Sequence, residues 1–164
     1  MDATPTTQER RLEATAIGKT LLHLVQESES RRAQMLAALR PTAEDLKAIF
    51  VPEAAAAAAR AYGRQPLEIL APGAVRAVTR VAKACELAAP PPGWDKGYAV
   101  VAPWLRPGSI WVAWTYLDAQ DREIRSFDGV VIRDGRACWC PRAWRFLADL
   151  GVAERASILG YWID

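Results

Sequence analysis

Phe127-Asp128-Gly129-Val130-Val131-Ile132-Arg133-Asp134-Gly135-Arg136-Ala137-Cys138-Trp139-Cys140 reads as two β-rich runs joined at an Asp-Gly pair. Such a pair favours a two-residue type I′ hairpin, because both central residues need positive φ and glycine reaches it without a Cβ clash. The turn sets a register in which Val131 faces Cys138 and Val130 faces Trp139. Upstream, Ile110 to Leu117 is apolar on both alternating sides. Ile110, Val112, Trp114 and Tyr116 fall on one, and Trp111, Ala113 and Leu117 on the other. A strand wet on one side alternates polar with apolar, so this one is predicted to be covered on both faces. Asp118-Ala119-Gln120-Asp121 predicts the turn into a following strand over residues 123–133. The three runs together make an antiparallel meander.

Further upstream, Ala74 to Cys85 has two readings. Val75, Val78, Val81 and Cys85 recur at helical spacing, whereas the β-branched content suits a strand with a bulge, which is the reading preferred here. Ala88-Ala89-Pro90-Pro91-Pro92-Gly93 is the main loop and has polyproline character. It is a joint between layers and not a domain boundary, since the sequence C-terminal to it is too short to build its own core.

Residues 8–39 place Leu12, Ala16, Leu21, Leu24, Val25, Met35, Leu36 and Leu39 at helical intervals. The charged stretch Gln26 to Arg32 is either a turn between two helices or the exposed face of one; two are preferred, with Ser30 capping the second. Pro41 ends the segment. Thr42 caps a new helix, with Glu44 and Asp45 at its positive end and Leu46, Ile49 and Phe50 as its buried stripe. Pro52 and Glu53 open another, running through the six alanines 54–59 to Tyr62 and stopping at Gly63. An alanine run this long serves close internal packing, or a small-residue contact between two copies in a homodimer. The expected organisation is a disordered N-terminus over 1–6 and one α+β domain over 7–164. Its helices span 7–63 and its sheet-rich part 66–147, with Pro141 to Leu147 a strand end or short helix. A tail at 148–164 contains the apolar run Ile158 to Ile163.

Composition narrows the class. Hydrophobic residues make up 51% and charged residues 24% of the 164, the proportions of a globular protein. The formal charge of +2, from 21 basic and 19 acidic residues, is too balanced to suggest nucleic acid. Arginine outnumbers lysine and alanine is abundant, as GC-rich bacterial genes often encode. No basic segment precedes an apolar run near Met1, and no run is long enough to span a membrane. With three cysteines, an odd number, the expected location is the cytoplasm.

Helices followed by a strongly apolar meander ending in a tight hairpin resemble the NTF2-like architecture, in which a curved antiparallel sheet wraps helices into a cone. The resemblance covers residues 42–147 and rests on that order and on Phe127 to Arg136, a strand with Asp-Gly-Arg at its turn and a Trp-bearing return. More helical sequence precedes the sheet here than in that architecture. The segment also resembles small uncharacterised bacterial proteins, which implies no activity.

Signatures of chemistry are sparse. There is no glycine-rich phosphate loop, no Gly-x-Ser-x-Gly elbow and no His-Glu-x-x-His helix. The single histidine, His23, sits in an apolar helical run, and a four-ligand metal site from His23, Cys85, Cys138 and Cys140 lacks any characteristic spacing. No metal or cofactor is expected, and the cysteines read as small core residues. Two carboxylates are the candidate acids or bases. Asp95 follows Trp94 in a loop, and Asp128 interrupts an apolar strand, where an inward carboxyl would have a raised pKa unless it only orders the hairpin or pairs with Arg142. Arg133 and Arg136 read as solvated hairpin ends. Seven tryptophans all lie after residue 93. One domain rarely buries so many, so Trp94, Trp104, Trp111, Trp114, Trp139 and Trp144, with Arg106, are the candidate binding residues, led by Trp94 and Pro103-Trp104-Leu105-Arg106-Pro107.

The preferred expectation is a non-catalytic protein-binding module, such as a bacterial immunity or accessory protein, with another protein as partner. The alternative is an NTF2-like small-molecule binder or cofactor-free acid/base enzyme with a Trp-lined pocket. A deep, dry pocket holding a carboxylate would favour the second, and a flat apolar patch rimmed by charge the first.

Overall fold

Thr6 opens the first helix through a capping box: its hydroxyl accepts from the Glu9 N–H at 3.2 Å, and its own N–H donates to the Glu9 carboxylate at 2.6 Å. The computed structural model describes residues 6–64 and 66–146. The elements are α1 (Thr7–Gln26), α2 (Glu29–Leu39), α3 (Ala43–Ile49), α4 (Pro52–Arg64), β1 (Arg76–Lys83), α5 (Gly97–Val101), β2 (Ile110–Leu117), β3 (Glu123–Arg133) and β4 (Arg136–Trp139). Short 3₁₀ turns follow β1 at Ala84–Ala88 and α5 at Ala102–Trp104. The arrangement is α+β. Among the described residues, no helix is long and apolar enough to cross a membrane.

The four strands form one antiparallel sheet in sequence order, β1-β2-β3-β4. The hairpin takes the expected register, Val130 opposite Trp139 and Val131 opposite Cys138. Asp134 and Gly135 have φ of 49° and 72°, the two positive values that a type I′ turn needs. β2 is covered on both faces, as its sequence predicts. Ile110, Val112, Trp114 and Tyr116 pack with Leu21, Leu24 and Leu36 of the first two helices. Trp111 and Ala113 pack on the other side with Leu46, Phe50, Ala58, Tyr62 and Tyr98. The Tyr116 hydroxyl also donates to the Leu21 carbonyl at 2.7 Å, tying α1 to the sheet.

Of residues 74–87, Arg76–Lys83 form the strand, paired to β2 without the expected bulge, and Ala84 onward turns into the 3₁₀ segment; a helix there would have nothing to bury its stripe, since Val75, Val78 and Cys85 are exposed. Residues 8–39 are two helices, but Ser28 and not Ser30 caps the second, accepting from Arg31 N–H at 3.4 Å. Only Glu27 and Ser28 separate it from α1, which leaves Ser30 inside the first turn. Thr6, expected in the frayed tail, is instead the α1 cap. α4 runs one residue past Gly63. In its alanine run Ala54, Ala55, Ala57 and Ala58 are buried within this chain while Ala56 and Ala59 are exposed, a helical stripe that lets neighbours approach closely. The hairpin arginines are not simply solvated. Arg133 donates to the Ala48 carbonyl at 2.7 Å, and Arg136 pairs with Asp45 at 2.7 Å, so both fasten the turn to α3. Helical residues 97–104 carry no signal in the sequence, since one turn is too short to show a period. Pro141 to Phe146 forms turns. The tail at 148–164, with Trp162, lies outside the described residues.

Gly129 is the least replaceable backbone position in the sheet. Its φ is +92°, and a Cβ there would strike the Cys140 carbonyl where the chain crosses back over β3. Gly129→Ala is expected to destabilise by on the order of 3 kcal/mol. Gly135→Ala, whose Cβ meets open space at a φ of +72°, should cost only about 1 kcal/mol. Urea unfolding of both variants checks this; equal losses would remove the crossing as the cause.

Candidate functional site

β4 pairs only with Val130–Arg133, so the first half of β3 runs on past it and leaves an edge uncovered. After Trp139 the chain leaves the sheet and crosses that edge. Cys140 N–H donates to the Gly129 carbonyl at 2.7 Å, and the Trp139 indole N–H to the Asp128 carbonyl at 2.8 Å. The β2–β3 pairing slips here: Val112 faces Val130 and Ala113 faces Asp128, leaving Gly129 as the extra residue of a bulge. Strict alternation would put Asp128 on the same face as Val130. The bulge instead turns it to the Ala113 side.

There Asp128 lines a half-open cleft of about 930 Å³. Pro66, Leu67 and Glu68 form one rim, Gly93 to Lys96 another, and Trp139 to Arg145 contribute a third. Trp94, Trp139 and Trp144 line it. Behind them Tyr98 stands edge-to-face against both Trp94 and Trp144, with ring centroids 5.1 and 4.9 Å away. Gly97 has to be glycine for this, because a Cβ would run into the Trp144 ring.

Asp128 Oδ1 accepts twice, from the buried Tyr98 hydroxyl at 2.6 Å and from the Arg142 N–H at 3.1 Å. Burial raises the Asp128 pKa above its ordinary value. The Tyr98 and Arg142 hydrogen bonds pull it partly back, and the Asp95 charge adds to the rise. Tyr98 is pushed well above its usual range, first by burial and then by the Asp128 charge, so it keeps its proton and donates it to the carboxyl. Asp128 is therefore a fixed, partly desolvated carboxyl on the wall of a cavity, the kind of group that can take or give a proton. The expected Arg142 partnership runs through a hydrogen bond from its backbone N–H, and the Arg142 charge also lowers the Asp128 pKa.

The other sequence candidates separate. Asp95 lies on the rim, exposed, and its carboxylate accepts from Gly97 N–H at 2.8 Å, so it opens α5. Trp104 and Arg106 do not line the cleft. They are clamped to the α3–α4 junction, where Val51 N–H donates to the Trp104 carbonyl at 2.9 Å and Arg106 Nε to the Phe50 carbonyl at 2.9 Å. Trp111 and Trp114 are 0% exposed and belong to the two cores, one on each face of β2, so neither offers a binding surface in this fold. His23 is exposed and pairs with Glu27 at 2.7 Å. Cys85 is exposed while Cys138 and Cys140 are buried, and burial pushes the Cys140 thiol up so that it stays protonated. Among the described residues no group of three His, Cys, Asp or Glu could hold a metal. Sequence reading missed Tyr98 and Arg80. Tyr98 lies 30 residues from Asp128 with no shared motif, and Arg80 reads as one charge on an ambiguous strand.

No family model, curated protein or solved structure matches the chain. The NTF2-like resemblance rests on element order and the hairpin segment alone.

Asp128 has a raised folded-state pKa, so its contribution to stability is fully present below its unfolded value near 3.8 and is lost as pH rises through the folded one. Asp128→Asn keeps an oxygen to accept from Tyr98 and Arg142 but never ionises. The variant should therefore gain stability relative to wild type as pH rises from about 3 to 7. Urea unfolding at several pH values tests the sign. A variant that loses ground over this window would contradict a carboxyl whose burial outweighs its hydrogen bonds.

Proposed function

We propose that the protein binds small molecules in the cleft beside Asp128. The observation that carries this is the placement of one partly desolvated carboxyl, oriented by two hydrogen bonds, on a wall that also presents Trp94, Trp139 and Trp144. The cleft's volume of about 930 Å³ lies within the usual range for ligand sites, and its lining combines these rings with charged side chains. Asp128 is the group positioned to exchange a proton with a bound ligand, and Tyr98 positions it. Binding to another protein through the tryptophans has less support. Trp111 and Trp114 lie wholly inside the two cores, Trp104 is held at the α3–α4 junction, and Trp94, Trp139 and Trp144 are at most 8% exposed within a concave cleft, so the described tryptophans form no flat apolar patch.

The test reads the indole N–H signals by NMR during titration with a panel of neutral, cationic and anionic aromatic compounds, assigning signals with Trp→Phe variants. Compounds that bind should shift Trp94, Trp139 and Trp144 together and leave the core pair Trp111 and Trp114 in place. If no compound at millimolar concentration moves the cleft set, the reading fails.

A further inference from the structure

Resting on the ligand-cleft reading, we infer that the cleft takes small organic anions and that Arg80 is the residue that holds their carboxylate or phosphate. Sheet register supplies the first reason. Arg80 of β1 faces Ala113 of β2, and Ala113 faces Asp128 of β3, so the three stand in one row on the same side of the sheet. Two strand steps separate Arg80 from Asp128, roughly 10 Å between their Cα positions. The small Ala113 side chain lies between them, and all three residues line the cleft together with Trp94 and Trp144.

Arg80 is also held in place while its charge has no partner. One guanidinium nitrogen donates to Thr115 Oγ1 at 3.1 Å, and Thr115 in turn shares a hydrogen bond with Ser126 at 2.7 Å. The side chain runs beneath Gly93, where a Cβ would come within 2.8 Å of Arg80 Cδ; with φ at +86°, that loop position is built around the arginine. Arg80 Nε is buried with no hydrogen-bond partner, and no carboxylate forms an ion pair with Arg80 among the described residues. A partly desolvated guanidinium without a counter-charge is costly, and an anion in the cleft relieves that cost.

The surroundings agree. Five cationic and three anionic side chains line the cleft. Of the other cations, Lys96, Arg125, Arg142 and Arg145 are exposed, and Arg125 lies over the Phe127 ring at 5.5 Å, so none is fixed as Arg80 is. An anionic head on Arg80 directs the far end of the ligand along the same row towards Asp128.

The experiment compares matched probes. Indole-3-acetate and indole-3-acetamide share shape and differ in charge, and phenyl phosphate supplies the phosphate arm. In the wild-type protein the acetate should bind about tenfold or more tighter than the amide, the size of one hydrogen bond to a charged group. Arg80→Gln should abolish that preference and leave amide binding within about twofold, whereas Arg145→Gln on the rim should preserve it. Phenyl phosphate binding tighter than the acetate would assign a phosphate ligand, and the reverse a carboxylate. Equal binding of acid and amide, or a preference that survives Arg80→Gln, overturns the role of Arg80 while the ligand cleft stands. If neither probe nor phenyl phosphate moves the cleft tryptophan signals, this inference falls, and the cleft reading falls with it only if the neutral and cationic compounds of the panel also leave them in place. Should Arg80→Gln fail to fold by circular dichroism, Arg80→Lys replaces it: the acid preference must weaken with the loss of the planar fork, and an unchanged preference overturns the assignment.

Discussion

β2 is apolar on both of its faces, and water has to be kept from each. A sheet satisfying that requirement needs one layer above and another below, which divides the helices between them. α1 and α2 cover the side bearing Trp114 and Tyr116, and α3, α4 and α5 cover the side bearing Trp111. The two tryptophans are alternate-face neighbours three residues apart, so each core is centred on a ring carried by the same strand. Any change that tilts β2 would disturb both cores at once, because close-packed interiors relax only in part.

The cleft arises where this two-sided cover stops. β4 is four residues long while β3 is eleven, so the sheet loses a strand halfway along. The chain leaving β4 does not extend the sheet; it folds across the β3 bulge and lends its backbone N–H groups to Gly129 and Asp128. A short strand and a bulge are common ways of blunting a sheet edge. Here they also leave Asp128 beside a hollow that neither core fills, with the buried Trp139 in its lining.

Most of the fold was legible because it is written locally. The I′ hairpin, the two-faced β2, the Thr42 cap and the Pro52 helix start each depend on residues within a few positions of one another, and each took the expected form. The position of Ser28 was missed for a related reason: two serines two residues apart compete for one cap, and only the end of α1 decides between them. The site was half legible. Asp128 stood out as a carboxyl in an apolar strand, but its face depends on a bulge at Gly129, its partner Tyr98 lies 30 residues away, and Arg80 joins the same row only through two strand pairings. The tryptophans misled as a surface signal because a sheet roofed on both sides has room for more large rings than a single-sided one. Trp104 and Arg106 looked like a motif in sequence, yet backbone contacts with Ile49, Phe50 and Val51 account for where they lie.

The link between α1 and the sheet bears on how this chain is made. Leu21 accepts the Tyr116 hydroxyl across 95 residues, and Leu24 is covered only once β2 is in place. Synthesis runs from the N-terminus, so α1 and α2 are complete long before the strand that roofs them leaves the ribosome. Each sheet pairing after β1 joins strands adjacent in the chain, and those close quickly once both are present. Until β2 has been made, the nascent chain thus carries an apolar helical face in waiting, and neither core can close before that strand appears.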